Sequence, residues 1–127
     1  MSEIHLLVVD DDRSNCAVVS SLLTKEGYRV DVAHDGNRAL EMVENRPYTL
    51  ALLDYQMPGM DGVELYRKIR ERHPETLGVF LTAYTTLDTV YPAITAGAER
   101  VLAKPVNRDE LIPLIEQMVG RPDVASP

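Results

Sequence analysis

Apolar positions along the chain fall into five short runs, at residues 4–9, 29–33, 50–53, 79–81 and 101–103. The first and third are nearly continuous, the pattern of a parallel strand covered on both faces. The second alternates, with Val30 and Val32 set against Arg29 and Asp31, which predicts a half-exposed edge strand. Between the runs the period lengthens to that of a helix. Val18, Val19, Leu22 and Leu23 predict a helix over residues 14–25, with Gly27 placed to end it. Ala39, Leu40 and Val43 predict a second over residues 36–45, before Pro47. Val63, Tyr66 and Ile69 mark a third that ends before His73-Pro74, and Leu111, Ile112, Ile115, Met118 and Val119 mark the last. After Thr82 the pattern is less regular. A short helix is expected to start near Asp88 or Thr89, with Pro92 in or just beyond its first turn.

Strand–helix alternation with short connections predicts a (βα)5 chain of the doubly wound α/β class. Its sheet is parallel, its crossovers are right-handed, and helices cover both faces. Periodicity is lost from Gly120 onward, so one domain is expected over residues 1–120, with 121–127 a tail or the start of a linker. Met1 is read as the start of the chain. At 127 residues the chain suffices for one core and not for two.

Composition narrows the setting more than the chemistry. The formal net charge is −7 without a basic stripe, which argues against direct nucleic-acid binding. The single cysteine, Cys16, excludes an intrachain disulfide, suits a reducing compartment, and reads as a small packing residue on the first helix. No basic segment precedes an apolar one at the N-terminus, and no apolar run approaches the length of a membrane span. A cytoplasmic protein with no membrane contact is expected.

The candidate chemistry lies where polar residues end the strands. Asp10 and Asp11 follow the first run, Asp54 the third, Thr82 the fourth and Lys104 the fifth. All carboxyl ends of a parallel sheet share one edge, and that edge is where open α/β sheets bind ligands. Each residue alone has a bland reading: Asp12 suits a helix cap, and Lys104-Pro105 suits a turn. Chance placement does not explain acid, hydroxyl and amine together on four strand ends.

The segments VVDDD (8–12), LLDYQMPGMDG (52–62), LTAY (81–84), AGA (96–98) and LAKP (102–105) carry these residues. In order and spacing, over residues 4–119, they resemble the response-regulator receiver domains of two-component signalling. The resemblance implies the flavodoxin-like strand order 2-1-3-4-5, which makes the first and third strands neighbours roughly 4.8 Å apart. Asp10, Asp11 and Asp54 would then crowd. Two carboxylates about 4 Å apart repel by about 4 kcal/mol at an effective dielectric near 20. Mg²⁺, which keeps several of its waters, suits such a cluster. The crowding also predicts that Mg²⁺ stabilises the domain and that Asp10→Ala raises the melting temperature without metal.

By the same resemblance Asp54 is the phosphoryl acceptor, and Asp10, Asp11, Asp54 and the Gln56 carbonyl hold Mg²⁺, Asp10 through water. Lys104 pairs with the phosphoryl oxygens and Thr82 offers them its hydroxyl, beside a small Ala83. The Lys104–Pro105 bond is expected to be cis, and Gly59 is available for a positive φ. The donor would be a histidine kinase or a histidine phosphotransfer protein. The product would control a downstream effector domain or protein, with a phosphorylation-dependent homodimer among the candidate assemblies. The surface that switches would be the fourth helix, fifth strand and last helix. Beyond self-catalysed phosphoryl transfer and autodephosphorylation, no enzyme activity is expected. Residues 82–98 look like receivers of the nitrogen-regulation type, which precede effector domains.

One departure concerns Val101, three residues before the lysine, where many members carry Tyr or Phe. Rotation of an aromatic ring cannot serve as the switch here. Gln56 and Tyr84 occupy positions that tune phosphoryl lifetime in the family. His5 and His34 show no partner pattern for a metal site or a general base.

Three other functions compete. Asp10-Asp11-Asp12-Arg13-Ser14 literally satisfies the D-x-D-x-[TS] nucleophile motif of haloacid-dehalogenase-type phosphatases, with Asp10 as nucleophile and Asp12 as general acid. That reading leaves the Asp54 loop unexplained. A flavodoxin-like cofactor binder needs a hydroxyl- and glycine-rich first loop, where this chain has three aspartates. A pseudo-receiver that only binds partners has no use for the full acidic set with Lys104.

Overall fold

The computed structural model describes residues 4–83, 97 and 100–122. Within them the chain forms β1 (His5–Val9), α1 (Arg13–Lys25), β2 (Arg29–Ala33), α2 (Gly36–Asn45) and β3 (Leu50–Asp54). α3 (Gly62–Arg72), β4 (Leu77–Thr82), β5 (Arg100–Ala103) and α4 (Arg108–Val119) follow. The helix expected near residue 88 falls on residues outside this description.

The strands pair in parallel in the order β2-β1-β3-β4-β5. β3 is buried along its whole length, and β2 at the edge is not, as their hydrophobic patterns require. Alternation along each strand divides the interior into two cores, because successive side chains point to opposite faces. Leu6, Val8, Leu50, Leu52, Val79 and Leu81 meet Val19 and Leu23 of α1 and Leu111 and Ile115 of α4. Leu7, Val9, Ala51, Leu53 and Phe80 meet Ala39 and Val43 of α2 and Val63, Tyr66 and Ile69 of α3.

Helix starts are set by side chains that accept from orphan backbone N–H groups. Asp12, Asp35, Asp61 and Asn107 cap the four described helices in this way. Only Asp12 was foreseen as a cap. α1 ends as Gly27 predicts: Gly27 adopts φ +100°, its N–H donates to Thr24 O and that of Tyr28 to Leu23 O. This is the paired closure that a left-handed residue after the helix permits. Pro113 lies inside α4 on its exposed side, where the carbonyl that loses a partner can meet water.

Two strands reach further than the apolar runs did. Asp54 is the last residue of β3, in register with Leu81, and Thr82 is the last of β4, in register with Ala103. Hydrogen bonding to the neighbouring ladder, not hydrophobicity, extends them to these polar residues.

Candidate functional site

The register of the sheet determines which polar residues meet. β1 lies between β2 and β3, so the loop leaving it opens beside the end of β3. Asp10, Asp11 and Asp54 each place a carboxylate oxygen there, all within 4.8 Å of one another. Asp10 is fully buried, Asp54 nearly so, and Asp11 is exposed. From the far side of the sheet Lys104 follows β5, and its Nζ stands 2.9 Å from Asp10 Oδ2 and 3.2 Å from Asp54 Oδ1. Thr82 is buried at the end of β4, and its carbonyl accepts from the Lys104 N–H at 2.8 Å. The Lys104–Pro105 bond is cis.

The two buried carboxylates have different surroundings. Burial disfavours the charge on Asp10, yet donors outweigh it. The Asp12 N–H bonds Oδ1 at 2.9 Å, and Lys104 Nζ (2.9 Å) and Asn15 Nδ2 (2.6 Å) both bond Oδ2. Its carboxyl is thereby held below the usual range. Asp54 is raised to about 7, first by burial and then by the charge of Asp10, with Lys104 opposing both. Burial works against the Lys104 charge as well, but the two carboxylates hold its pKa above the ordinary value. A single ammonium thus serves two acids and satisfies one of them.

This donor set fits a hard divalent cation: three carboxylates converge, and one of them resists ionisation although Lys104 stands against it. Gln56 lies exposed in the loop two residues past Asp54. That loop turns through Gly59 at φ +84° and returns to begin α3. There Gly62 N–H bonds Tyr55 O at 3.0 Å, and a Cβ on Gly62 would lie 2.4 Å from Asp54 O. Asp12 points away from the cluster chemistry, its Oδ1 accepting from Ser14 N–H and Asn15 N–H at the start of α1. An aspartate engaged as a cap is poorly placed to act as the acid of a phosphatase. Cys16 is buried, its Sγ 3.2 Å from Asp10 O and its thiol pushed up to about 11 by burial, which suits packing and not redox chemistry.

Two features escaped the sequence. Asn15 reaches Asp10 from the first turn of α1, a contact that helical geometry one turn past an acidic loop could have signalled. At the opposite edge His5 Nε2 lies 3.2 Å from Asp31 Oδ2, which also accepts from the Tyr48 hydroxyl at 2.6 Å, with Arg46 Nη1 3.0 Å from the imidazole. Those partners come from β2 and from the turn into β3, both remote from His5 along the chain, so no local motif announces them.

A doubly wound α/β domain with three carboxylates and a lysine at the carboxyl edge of its sheet defines the class. Residues 6–116 match the family model of the response regulator receiver domain, and the chain belongs to that family. It is 39% identical over 109 residues to the transcriptional regulatory protein ZraR of Klebsiella oxytoca, covering 86% of this chain and 25% of that protein. With DltR of Streptococcus agalactiae, serotype III strain NEM316, identity is 36% over 108 residues, covering 85% of this chain and 48% of that one. The chain thus spans between a quarter and a half of the curated relatives it matches. A crystal structure of a CheY-like receiver domain protein from Methanospirillum hungatei JF-1 superposes with a TM-score of 0.86 at 33% identity, covering 91% of this chain and 93% of that one. Among the described residues no helix is long and apolar enough to cross a membrane.

Proposed function

We propose that this receiver domain works as an aspartyl-phosphate switch with Asp54 as acceptor. The observation that carries the reading is the position of Asp54: it is buried at the end of β3, 3.2 Å from Lys104 Nζ and beside Asp10 and Asp11. An Asp54 oxygen attacks the phosphorus of a phosphohistidine on a kinase or phosphotransfer protein. The P–N bond breaks and the imidazole leaves with the bonding pair, taking up a proton. Asp10, Asp11, Asp54 and the Gln56 carbonyl would hold Mg²⁺, which when bound offsets charge on the transferring oxygens. Lys104 supports the same charge from the other side, and the Thr82 hydroxyl closes on the phosphoryl group afterwards. Water then hydrolyses the acyl phosphate, which returns the switch to rest. The relatives are longer regulators, so the output belongs to a further effector domain or protein. Residues 1–120 form the switch, and 121–127 lead out of it. With Val101 β-branched and partly buried, coupling runs mainly through the segment after Thr82 and less through β5.

Acetyl phosphate with Mg²⁺ tests this reading by intact-protein mass spectrometry. One alkali-labile phosphoryl group is expected on the protein and none on Asp54→Ala. An adduct that persists in Asp54→Ala and maps to Asp10 would favour phosphatase-type chemistry. Asp11→Asn is expected to abolish the Mg²⁺-dependent reaction.

A further inference from the structure

The charge held by Lys104 must pass from one partner to another during the reaction just proposed, on which this inference rests. In the structure Lys104 bridges Asp10 Oδ2 and Asp54 Oδ1. If it turns to the phosphoryl oxygens, the fully buried Asp10 loses a donor at Oδ2. A buried carboxylate stripped of a donor is costly and free to rotate. The Asn15 side chain meets that need. Its Nδ2 bonds the same Oδ2 at 2.6 Å, closer than Lys104 at 2.9 Å, while the Asp12 N–H holds Oδ1 at 2.9 Å.

The fold makes the contact rigid. Asn15 sits in the first turn of α1, and its own N–H bonds the cap Asp12 at 3.2 Å. The cap and the amide therefore grip Asp10 from one piece of backbone. With three donors on four lone-pair sites, Asp10 retains limited room for a metal-bound water.

We infer that Asn15 is a positioning residue for the phosphoryl-transfer site: it fixes the Asp10 carboxylate toward the metal side and lets Lys104 leave for the phosphoryl group. The substitution Asn15→Ala removes the amide, and Asn15→Gln keeps one on a longer stem. Mg²⁺ binding, followed by amide chemical shifts in the full chain, is expected to weaken about tenfold in Asn15→Ala. The rate of phosphorylation by acetyl phosphate at saturating Mg²⁺ should fall by a similar factor, and Asn15→Gln should recover most of both. Thermal melting in EDTA establishes that each variant is folded. A folded Asn15→Ala with Mg²⁺ affinity and saturating rate within twofold of wild type overturns the inference. Equal impairment in Asn15→Ala and Asn15→Gln overturns it too, because that result marks a helix-start or packing role. If wild type itself neither binds Mg²⁺ nor takes up phosphate, the proposed function fails first and the inference falls with it.

Discussion

Asp10 and Asp54 lie at the same lysine, but their charges have opposite consequences for the fold. Asp10 is the better satisfied of the two, so the repulsion expected from the sequence does not fall on it. Asp10→Ala would strand three donors, whereas Asp54 bears the cost. The isosteric Asp54→Asn is therefore expected to raise the melting temperature in EDTA, measured by calorimetry. The pH dependence follows from the direction of the Asp54 shift. An acid whose pKa rises from 3.8 to about 7 on folding binds more protons folded than unfolded between those values. Stability in EDTA should thus fall as pH rises from about 4 to 7, and this component should vanish in Asp54→Asn. Urea midpoints of the two proteins at pH 5 and pH 8 check it, and parallel pH profiles would refute it. Asp12 offers a second single-residue test. Asp12→Ala loses the α1 cap and should cost about 1 kcal/mol by denaturant melting, with Asp12→Ser recovering most of it. Both variants should still accept phosphate, since the Asp12 side chain is engaged at the start of α1 and the backbone N–H that bonds Asp10 is retained.

Secondary-structure elements carry the site only because they pack closely. α3 begins directly beneath Asp54, and a Cβ at Gly62 would approach Asp54 O to 2.4 Å and Phe80 Cε1 to 3.0 Å. Gly62→Ala should destabilise the domain by about 2 kcal/mol by urea melting and slow phosphorylation, because backbone at the acceptor must move. A variant as stable and as quickly phosphorylated as wild type would show that α3 does not set the acceptor. On the other side of α3, Tyr66 fills the space over Gly78 and donates to Thr76 O at 3.1 Å, while its Arg70 reaches Gly97 O at 3.4 Å. At the amino edge the His5, Asp31, Tyr48 and Arg46 contacts join β1, β2 and the turn into β3, far from the carboxylate cluster. Neither histidine motif nor metal pattern accounts for His5. Its polar partners are a consequence of strand register.

For the molecule as a whole, the uneven acidic pocket couples ligand binding to stability. A cation that binds the folded state alone adds RT ln(1 + [L]/Kd), about 2.7 kcal/mol at a hundredfold excess over Kd. The melting temperature should climb with Mg²⁺ concentration in wild type and much less in Asp11→Asn, which keeps the fold and loses an exposed ligand. A rise of equal size in both would show general salt stabilisation instead. At the opposite edge the Tyr28 hydroxyl donates to Gly120 O at 2.8 Å and ties the end of α4 to the start of β2.

Much of this was legible in the residue pattern. Continuous apolar runs, helical periods and Gly27 specified the described strands and helices to within a few residues, since burial and backbone conformation act locally. Placing Asp10, Asp11, Asp54, Thr82 and Lys104 at one edge needed only that the strands be parallel. The strand order came from family likeness, because pairing between distant segments leaves no local trace. The tertiary structure alone decided how the charges are shared. Asp10 keeps its charge and Asp54 resists its own because three donors converge on one carboxylate and not on the other. Those donors come from the loop after β1, the first turn of α1 and the end of β5. The first two are local to Asp10 along the chain, but Lys104 joins them and Asp54 stands beside them only once the sheet has formed, and no spacing encodes that.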